Sequence, residues 1–434
     1  MSSDAPRSRR RLGILVGAAL ALLVLAGGAA AFVLTRDDDV SNTDVAFQAE
    51  PTATPEPTPD PARTAGEDPF TWAHYGYSKD RRRYLPASRS LRPPFRRDWA
   101  LTGRILLEFP PVIAGRSLYL MKNNGALYAL SKRTGRVRWK RKLGYLAASS
   151  PAAGDDRVYV TLLQRGRGGG AARGGRVAAL DARTGRTVWS KPLASRSESS
   201  PLLDGGRLYF GSESGTVYSL RASTGEVRWR YKAPGAVKAA LALADGKLYF
   251  GDYAGRVHAL RQADGRPVWS TGTSGARFGL SAGSFYSTAA VAYGRVYLGN
   301  TDGRIYSFSS ADGKLAWSKS TGGYVYASPA VAQVPGGRPT VYAGSYGGTF
   351  YALDARTGRV RWSHRGKGRI SGAATVVGDV VYYANLGKRR TIGLGARTGR
   401  KVFEFGRGSF NPVVSDGRRI YLTGYSSLYA LTPR

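Results

Sequence analysis

The residues whose side chains could carry out chemistry are few and far apart in this chain of 434 residues. It contains no cysteine, which excludes disulfides, thiolate metal sites and a catalytic thiol. Its three histidines are spread along the chain, so an all-histidine zinc site would need every one of them. The acids that could bind calcium are scattered, without the Asp-x-Asp-x-Asp form of a calcium loop, and they are Asp155, Asp156, Glu213, Asp252 and Asp302. We therefore expect no catalytic residue and no metal ligand, and we expect these acids to lie in solvated turns.

Basic residues dominate the charged positions. The chain has 65 Lys and Arg against 29 Asp and Glu, a formal net charge of +36. From Arg97 to the C-terminus there are 52 basic and 18 acidic residues, a surplus of 34. A field of this size attracts anionic lipid headgroups, wall polymers and nucleic acid. The alternative is an arginine-rich composition that spreads charge over all repeats without a local site.

The first 34 residues predict a membrane anchor. A basic segment, 1–11, precedes an uncharged run from Leu12 to Leu34, which at 23 residues is long enough to cross a bilayer of about 30 Å. The positive-inside rule places the N-terminus in the cytoplasm and the rest of the chain outside. A cleaved secretory signal is the alternative, because Ala29–Ala31 supply small residues for cleavage and Ser8–Arg10 partly match a twin-arginine signal. We favour a retained single-pass helix in the plasma membrane, since the apolar regions of signal peptides are about 7 to 15 residues long.

Two segments separate this predicted helix from the repeats that follow. Residues 35–68 are acidic and rich in Pro and Thr, which predicts an extended, disordered linker. Residues 69–96 contain Trp72, Tyr75 and Tyr84 and are too aromatic for a linker. We expect this aromatic strap to be ordered and to lie across a face or side of the next domain. A role in binding a partner is the second interpretation.

An internal repeat predicts the fold of residues 97–434. A Thr-Gly or Asp-Gly turn recurs seven times, with an aromatic residue four positions after each glycine, and successive glycines are 50, 40, 40, 48, 45 and 41 residues apart. A period of about 40 to 50 residues in a β-rich sequence is typical of propeller blades. Alternating apolar and polar residues divide each unit into four short antiparallel strands, A to D, from the axis outwards. The glycine–aromatic pairs are Gly135–Trp139, Gly185–Trp189, Gly225–Trp229, Gly265–Trp269, Gly313–Trp317, Gly358–Trp362 and Gly399–Phe403.

The ends of the chain predict how the ring closes. The last unit has strands A to C but ends before its D strand. Trp99 lies twenty residues before Tyr119, the same spacing as between Trp139 and Tyr159. Trp99 therefore marks the missing D strand, and the sequence predicts an all-β, eight-bladed propeller closed by the N-terminal strand of the domain. Such closure removes the open sheet edges that promote aggregation.

The repeat also resembles a known family. The sequence Ala-Leu-Asp-Ala-Arg-Thr-Gly-Arg-Thr-Val-Trp from Ala179 to Trp189, which returns in closely similar form from Ala352 to Trp362, is similar to the tryptophan-docking repeat of the pyrroloquinoline quinone (PQQ) binding-like β-propeller superfamily. That superfamily includes quinoprotein alcohol dehydrogenases and BamB-type outer-membrane assembly factors. The resemblance implies that the repeated aromatic residues stack between adjacent blades and are structural. They are Trp99, Trp139, Trp189, Trp229, Trp269, Trp317, Trp362 and Phe403.

The resemblance implies two kinds of function. Quinoprotein dehydrogenases hold PQQ and Ca²⁺ in a central funnel and usually have a disulfide of adjacent cysteines, which this chain cannot form. BamB-type proteins are non-enzymatic binding platforms, held at a membrane by a lipidated cysteine where this chain has its predicted helix. We therefore predict a non-catalytic binding and assembly scaffold in the cell envelope, without a cofactor. A PQQ-dependent quinoprotein dehydrogenase and a binder of anionic envelope polymers are the alternatives.

The strand order predicts which face binds the partner. The B–C and D–A connections must lie opposite the Thr-Gly turns, and loops on one face of a rigid scaffold are common binding sites. Several of these loops combine aromatic residues with arginine, as protein interfaces do. The partner is an unidentified envelope protein or an anionic polymer, and we expect no nucleic acid because the domain is predicted to be exported. The predicted binding residues are Arg165, Tyr253, Arg277, Phe278, Tyr286, Tyr324, Tyr326, Tyr346 and Tyr425.

Overall fold

The structure is a computed structural model that describes residues 39–49, 70–87, 91–167, 174–273, 283–366, 368–408, 410–411 and 413–434. Within these ranges all the regular secondary structure consists of β-strands. None of the described residues forms a helix that is long and apolar enough to cross a membrane. The predicted anchor, 12–34, lies outside the described residues.

In the described part of the chain, eight antiparallel four-stranded sheets form the blades of a propeller, so the predicted all-β, eight-bladed architecture is confirmed. Blade 1 consists of β5 (Val112–Ala114), β6 (Ser117–Lys122), β7 (Ala126–Ser131) and β8 (Val137–Lys142), and blade 2 of β9 (Ala152–Gly154), β10 (Arg157–Leu162), β11 (Arg176–Asp181) and β12 (Thr187–Pro192). Blade 3 consists of β13 (Leu202–Asp204), β14 (Arg207–Phe210), β15 (Thr216–Arg221) and β16 (Val227–Lys232), and blade 4 of β17 (Ala242–Ala244), β18 (Lys247–Gly251), β19 (Arg256–Arg261) and β20 (Pro267–Gly272).

The same order of strands continues around the ring. Blade 5 consists of β21 (Ala290–Ala292), β22 (Arg295–Gly299), β23 (Arg304–Ser309) and β24 (Leu315–Ser320), and blade 6 of β25 (Ala330–Ala332), β26 (Thr340–Gly344), β27 (Thr349–Asp354) and β28 (Val360–Arg365). Blade 7 consists of β29 (Thr375–Val377), β30 (Val380–Asn385), β31 (Arg390–Gly395) and β32 (Lys401–Phe405), and blade 8 of β33 (Val413–Ser415), β34 (Ile420–Thr423), β35 (Leu428–Pro433) and β4 (Phe95–Leu101). Three blades carry an extra short strand, namely β1 (Val40–Ser41) on blade 5, β2 (Thr71–Trp72) on blade 1 and β3 (Tyr84–Leu85) on blade 7.

Blade 3 shows how the sequence specifies these strands. Leu208 in β14 pairs with Leu203 in β13 and with Leu220 in β15, and all three side chains are buried. The outer strand β16 reads Val-Arg-Trp-Arg-Tyr-Lys and is mostly exposed. The turn into β16 contains Gly225, whose φ of +70° is readily adopted by glycine. The inner strands therefore form the core, and the outer strands place basic residues on the rim.

A tryptophan joins each of seven blades to the next one. The indole Nε1–H of Trp189 in blade 2 donates to the carbonyl oxygen of Ala222 in blade 3 at 2.8 Å. A Cβ atom on Gly225 would lie 2.7 Å from the Trp189 ring, so a larger residue does not fit at this turn. Phe403 takes this position in blade 7 and packs edge-on against Phe95, with 5.4 Å between ring centroids. The seven indole donors, at 2.8–3.2 Å, are Trp99, Trp139, Trp189, Trp229, Trp269, Trp317 and Trp362.

Blade 8 joins the two ends of the domain. Strand β4 pairs antiparallel with β35, and Trp99 lies opposite Ala430. Strand β4 begins at Phe95, slightly before the predicted start of the propeller at Arg97. Trp99 then donates to the carbonyl oxygen of Lys132 in blade 1 at 3.2 Å. The N-terminal strand therefore closes the ring.

Residues 70–87 of the aromatic strap lie inside the ring near the A–B turns. In blade 1, β2 pairs with β5, and in blade 3 the His74 Nε2–H donates to the Leu203 carbonyl at 3.1 Å. In five further blades the central residue of the innermost strand donates its N–H to a strap carbonyl at 2.8–3.0 Å. These pairs, donor first, are Ala153–Ala73, Leu243–Lys79, Val291–Asp80, Val331–Arg82 and Val376–Arg83. The strap thus bonds to seven blades, whereas the sequence placed it across a face or side.

Two buried arginines fix the path of the strap. Arg81 and Arg83 have φ values of +60° and +55°, in the left-handed region. The Arg81 Nε–H donates to the Leu241 carbonyl at 2.8 Å, and Arg83 Nη1 donates to the Pro329 carbonyl at 3.3 Å. The Arg83 guanidinium also lies 4.7 Å from the ring centroid of Tyr75. The strap therefore closes the central channel at its turn end.

Part of the segment predicted as a linker is bound to blade 5. The Asn42 N–H donates to the Ala316 carbonyl at 2.6 Å, and the Arg295 Nε–H donates to the Ala46 carbonyl at 2.7 Å. Phe47 stacks on Tyr293 with 5.2 Å between ring centroids. The prediction that all of 35–68 is a disordered linker is therefore wrong for residues 41–48, because their apolar side chains pack against the blade.

Candidate binding funnel

One position of the repeat supplies several side chains at the end of the channel opposite the turns. Glu198, Lys238, Tyr286 and Tyr326 each lie just before the innermost strand of blades 3 to 6, and they are 40, 48 and 40 residues apart. Together they line a cavity of about 250 Å³, which we call the funnel. The funnel is lined by Tyr75, Glu108, Phe109, Glu198, Ser200, Lys238, Ala239, Ala240, Tyr253, Tyr286, Thr288, Tyr326, Ser328, Tyr346, Ser371, Gly372, Ala373, Phe410 and Asn411.

Hydrogen bonds from blade to blade hold these positions in register. The Ala240 N–H donates to Thr288 Oγ1 at 3.2 Å, and the Thr288 N–H donates to Ser328 Oγ at 3.0 Å. Tyr75 of the strap enters from below, and its hydroxyl donates to Asn411 Oδ1 at 3.2 Å. The strap is therefore the floor of the funnel, and the loops are its walls.

Five tyrosines form a row along one wall of the funnel. Tyr253 lies edge-on to Tyr286 at 6.4 Å, and Tyr286 lies edge-on to Tyr326 at 5.9 Å, measured between ring centroids. Tyr326 also contacts Tyr324 at 6.0 Å and Tyr346 at 5.0 Å. Tyr324 is 55% exposed and ends the row at the rim. Rings of this kind give a binding wall with large contact area and hydroxyl donors.

A lysine between two carboxylates closes the same wall. Lys238 Nζ lies 3.0 Å from Glu198 Oε1 and 3.0 Å from Glu213 Oε1. It also lies 5.3 Å from the ring centroid of Tyr253, a cation–π distance. The Tyr286 hydroxyl donates to the second Glu198 oxygen at 3.2 Å. Burial raises the pKa of Glu198 and, together with the neighbouring Glu198 carboxylate, raises that of Tyr286.

A second carboxylate faces the funnel from blade 1. Glu108 accepts a hydrogen bond from Asn123 Nδ2 at 2.8 Å, and the Glu108 main-chain N–H donates to Asn123 Oδ1 at 3.1 Å. No basic side chain pairs with it among the described residues. Burial raises its pKa above the ordinary value for a glutamate. The funnel is therefore aromatic and bears more acidic than basic groups, in a domain with a large basic surplus.

The structure brings together five of the nine predicted binding residues, Tyr253, Tyr286, Tyr324, Tyr326 and Tyr346, in this row. Tyr425 is in a separate loop of blade 8, where its ring lies 4.5 Å from the Arg389 guanidinium. Arg165 is in the B–C connection of blade 2 and donates its N–H to the Gly174 carbonyl. Arg277 and Phe278 lie outside the described residues.

Asp252, one of the acids considered for calcium, is held by partners within its own blade and the neighbouring loop. Asp252 accepts hydrogen bonds from the N–H groups of Gly235, Ala254 and Arg256 at 2.9–3.1 Å. The His258 Nε2–H donates to it at 3.1 Å. Across the ranges that the structure describes, no three His, Asp or Glu side chains are grouped closely enough to hold a metal ion. Asp252 is fully buried, unlike the solvated turn expected for it from the sequence.

The lining residues that the sequence reasoning missed include four with tyrosine or charged side chains, namely Tyr75, Glu108, Glu198 and Lys238. A signal for Glu198 and Lys238 was present, because both occupy the repeat position that holds Tyr286 and Tyr326 in the next two blades. Glu108 lies at the corresponding place in blade 1, ninety residues before Glu198. Tyr75 had no such signal, since the position of the strap depends on its bonds to seven blades.

An eight-bladed ring with docked tryptophans and a loop-lined funnel is the architecture of the PQQ-binding-like propellers. The family model described as outer membrane protein assembly factor BamB matches residues 88–168, 173–331 and 325–433. The chain therefore belongs to this family, and the resemblance read from the repeat is confirmed. A search of curated proteins finds no match.

Solved structures with the same fold include BamB and dehydrogenases. BamB from Moraxella catarrhalis has a TM-score of 0.63 at 18% identity, over 78% of this chain and 98% of that one. Quinohemoprotein alcohol dehydrogenase ADHIIG from Pseudomonas putida HK5 has a TM-score of 0.68 at 15% identity, over 84% and 80%. A europium-containing methanol dehydrogenase has a TM-score of 0.69 at 13% identity, over 84% and 98%. These similarities show a shared fold, and a shared fold does not assign an activity.

Proposed function

We propose that this protein is a non-catalytic binding scaffold of the cell envelope and that the funnel face binds its partner. The row of five tyrosines carries the proposal, because it combines four half-buried rings with an exposed one at the rim. Aromatic residues at the centre of a pocket typically provide much of the binding energy in protein interfaces. The strap bonds to the inner strands near the turns, so the described chain leaves the funnel face uncovered.

The charges of the funnel argue against PQQ as its ligand. PQQ carries three carboxylates, which need cationic donors in a buried site. The lysine of the funnel already pairs with Glu198 and Glu213, and Glu108 adds a further negative charge. The residues present therefore do not fit the quinone, and we derive no reaction through it.

The proposal includes the location of the protein. Residues 12–34 would anchor it in the plasma membrane, with the N-terminus in the cytoplasm and the propeller outside. Protease added to spheroplasts or protoplasts should digest the propeller while cytoplasmic proteins remain intact. Protection of the propeller until the cells are lysed would contradict this location.

The binding surface is tested by photo-crosslinking in intact cells. A photoreactive amino acid in place of Tyr324, at the rim of the funnel, should form a discrete crosslinked species. The matched control replaces Arg183, which is exposed in a Thr-Gly turn on the opposite face. Crosslinking at both positions alike, or at position 183 alone, would argue against the funnel face as the binding surface.

A further inference from the structure

We propose that a basic cleft between blades 6 and 7 binds a phosphate group, as a monoester or diester. The cleft is a cavity of about 370 Å³. It is defined by Arg365, Tyr383, Lys388, Arg390, Lys401 and Glu404. It shares no lining residue with the funnel, so it does not rest on the function proposed for the funnel face.

Tyr383 supplies a hydroxyl that the fold does not use. Its side chain is fully buried, and its ring stacks on Phe350 with 4.4 Å between centroids. Among the described residues its hydroxyl has no hydrogen-bond partner, although buried polar groups are normally paired. A Cβ atom on Gly366, which also lines the cleft, would lie 3.5 Å from this hydroxyl. The unpartnered hydroxyl therefore lies beside Gly366, on the inner side of the cavity wall.

This hydroxyl is specific to blade 7. Tyr383 follows Tyr382, which is the tyrosine repeated in the B strand of every blade. In the other seven blades the next residue is apolar, namely Leu120, Val160, Phe210, Phe250, Leu298, Ala343 and Leu422. The position accepts phenylalanine in blades 3 and 4, so the fold itself needs no hydroxyl there.

The charges of the cleft favour an anion. Lys401 Nζ lies 2.7 Å from Glu404 Oε2, and Arg390 pairs with the other oxygen of Glu404. Arg365 and Lys388 form no ion pair within the described ranges. Four cations therefore face one carboxylate whose two oxygens are both engaged. Burial and the nearby Lys401 lower the pKa of His364, which favours its neutral imidazole.

The arrangement of donors selects phosphate. Arg365 is on β28, Tyr383 on β30, Arg390 on β31 and Lys401 on β32, so donors reach the cavity from both walls. A tetrahedral phosphate accepts hydrogen bonds in several directions, and guanidinium groups bind its oxygens in pairs. The source is a lipid headgroup or a soluble or polymeric phosphate ester.

Calorimetric titration of the full-length protein with inorganic phosphate and with glycerol 3-phosphate tests the site. The titrations are made at about 0.15 M salt, where interactions between exposed charges more than about 8 Å apart are largely screened. We expect saturable binding that Tyr383→Phe weakens about tenfold, as for a lost hydrogen bond to a charged group. The control is Tyr382→Phe, which removes an equally unpartnered buried hydroxyl that does not line the cleft. Equal affinities of the two variants, or no saturable binding by the wild type, would overturn the proposal.

Two further comparisons separate local binding from bulk charge and identify the source. Arg365→Ala should weaken phosphate binding more than Lys232→Ala, which removes a cation from the same position of β16 in blade 3. Equal effects would show that only net charge matters and would overturn the site. Vesicles of phosphatidylcholine with a quarter phosphatidylglycerol then test the lipid. Binding that Tyr383→Phe reduces identifies a headgroup, whereas glycerol 3-phosphate binding without vesicle binding identifies a soluble or polymeric ester.

Discussion

The funnel and the cleft are built from the same repeat but have opposite chemistry. In the funnel, Glu108 and Glu198 face a row of tyrosines, and the single lysine is held by two carboxylates. The cleft is lined by four cations and one carboxylate, Glu404, which pairs with two of them. Both lie among strands whose order and pairing repeat from blade to blade.

The difference shows where this chain can change function without changing its fold. Core positions of the repeat hold the docked tryptophans, their glycines and the buried leucines. Positions that face the axis or the gaps between blades are free to vary, and they set the local sign of charge. A surplus of basic residues on the rim therefore coexists with an acidic aromatic funnel.

Trp72→Ala should have the largest effect, and it should act on the funnel. Trp72 is 1% exposed and anchors the strap in the core, so we expect a loss of about 4 kcal/mol in the free energy of unfolding. The floor of the funnel should loosen, while phosphate binding in the cleft persists in the folded protein. Denaturant unfolding and phosphate calorimetry on the same sample measure both. Loss of phosphate binding together with loss of the crosslink from position 324, in protein that stays folded, would show that the two regions are not independent.

Trp362→Ala should instead affect the cleft and leave the funnel intact. We expect a loss of about 3 kcal/mol in the free energy of unfolding, less than for Trp72→Ala, because the Trp362 ring is less deeply buried. Its indole joins blade 6 to the Ala396 carbonyl of blade 7 at 3.0 Å, beside the cleft. Phosphate binding should weaken, whereas the crosslink from position 324 should remain. Trp189→Ala, at the junction of blades 2 and 3, is the control. It should cost similar stability and leave phosphate binding intact.

Lys238→Met should destabilise the protein by about 1 to 2 kcal/mol at neutral pH, since it leaves Glu198 without its cation and leaves Glu213 paired with Arg196 alone. The loss should shrink in acid, where Glu198 takes up a proton. Glu198→Gln in the same background tests the pairing in a double-mutant cycle. Additive effects of the two substitutions would mean that the observed contact contributes nothing.

Glu108 should give the smallest effect. Its pKa is raised in the folded protein, so the folded state binds the proton more tightly than the unfolded state. Its contribution to stability therefore falls as pH rises through the window above the ordinary value of 4.5. Glu108→Gln should then raise stability at pH 7 by less than about 1 kcal/mol, with no gain below pH 4. Thermal unfolding at several pH values measures this, and a gain that is independent of pH would contradict the assigned burial.

The sequence predicted the fold well because the repeat is local. Each Thr-Gly turn and its aromatic residue specify one blade, and the spacing from Trp99 to Tyr119 predicted the closure by β4. The order of the strands within each blade placed Tyr253, Tyr286, Tyr326 and Tyr346 on one face.

The rest depended on contacts between distant residues. The path of the strap is set by bonds to seven blades, and Arg81 and Arg83 adopt left-handed conformations that no local pattern indicates. The cleft joins side chains from two blades, and only the comparison of Tyr383 with its equivalents in other blades reveals it. Residues 41–48 were assigned to a linker because their composition does not indicate that Phe47 stacks on Tyr293.

Calorimetric titration of the full-length protein with PQQ, with and without Ca²⁺, tests the central claim most directly. The account predicts no saturable binding under either condition, because the lysine of the funnel is already paired and Glu108 and Glu198 oppose a tricarboxylate. Saturable binding at low micromolar concentration or below would contradict the scaffold function and would assign the funnel to an oxidoreductase.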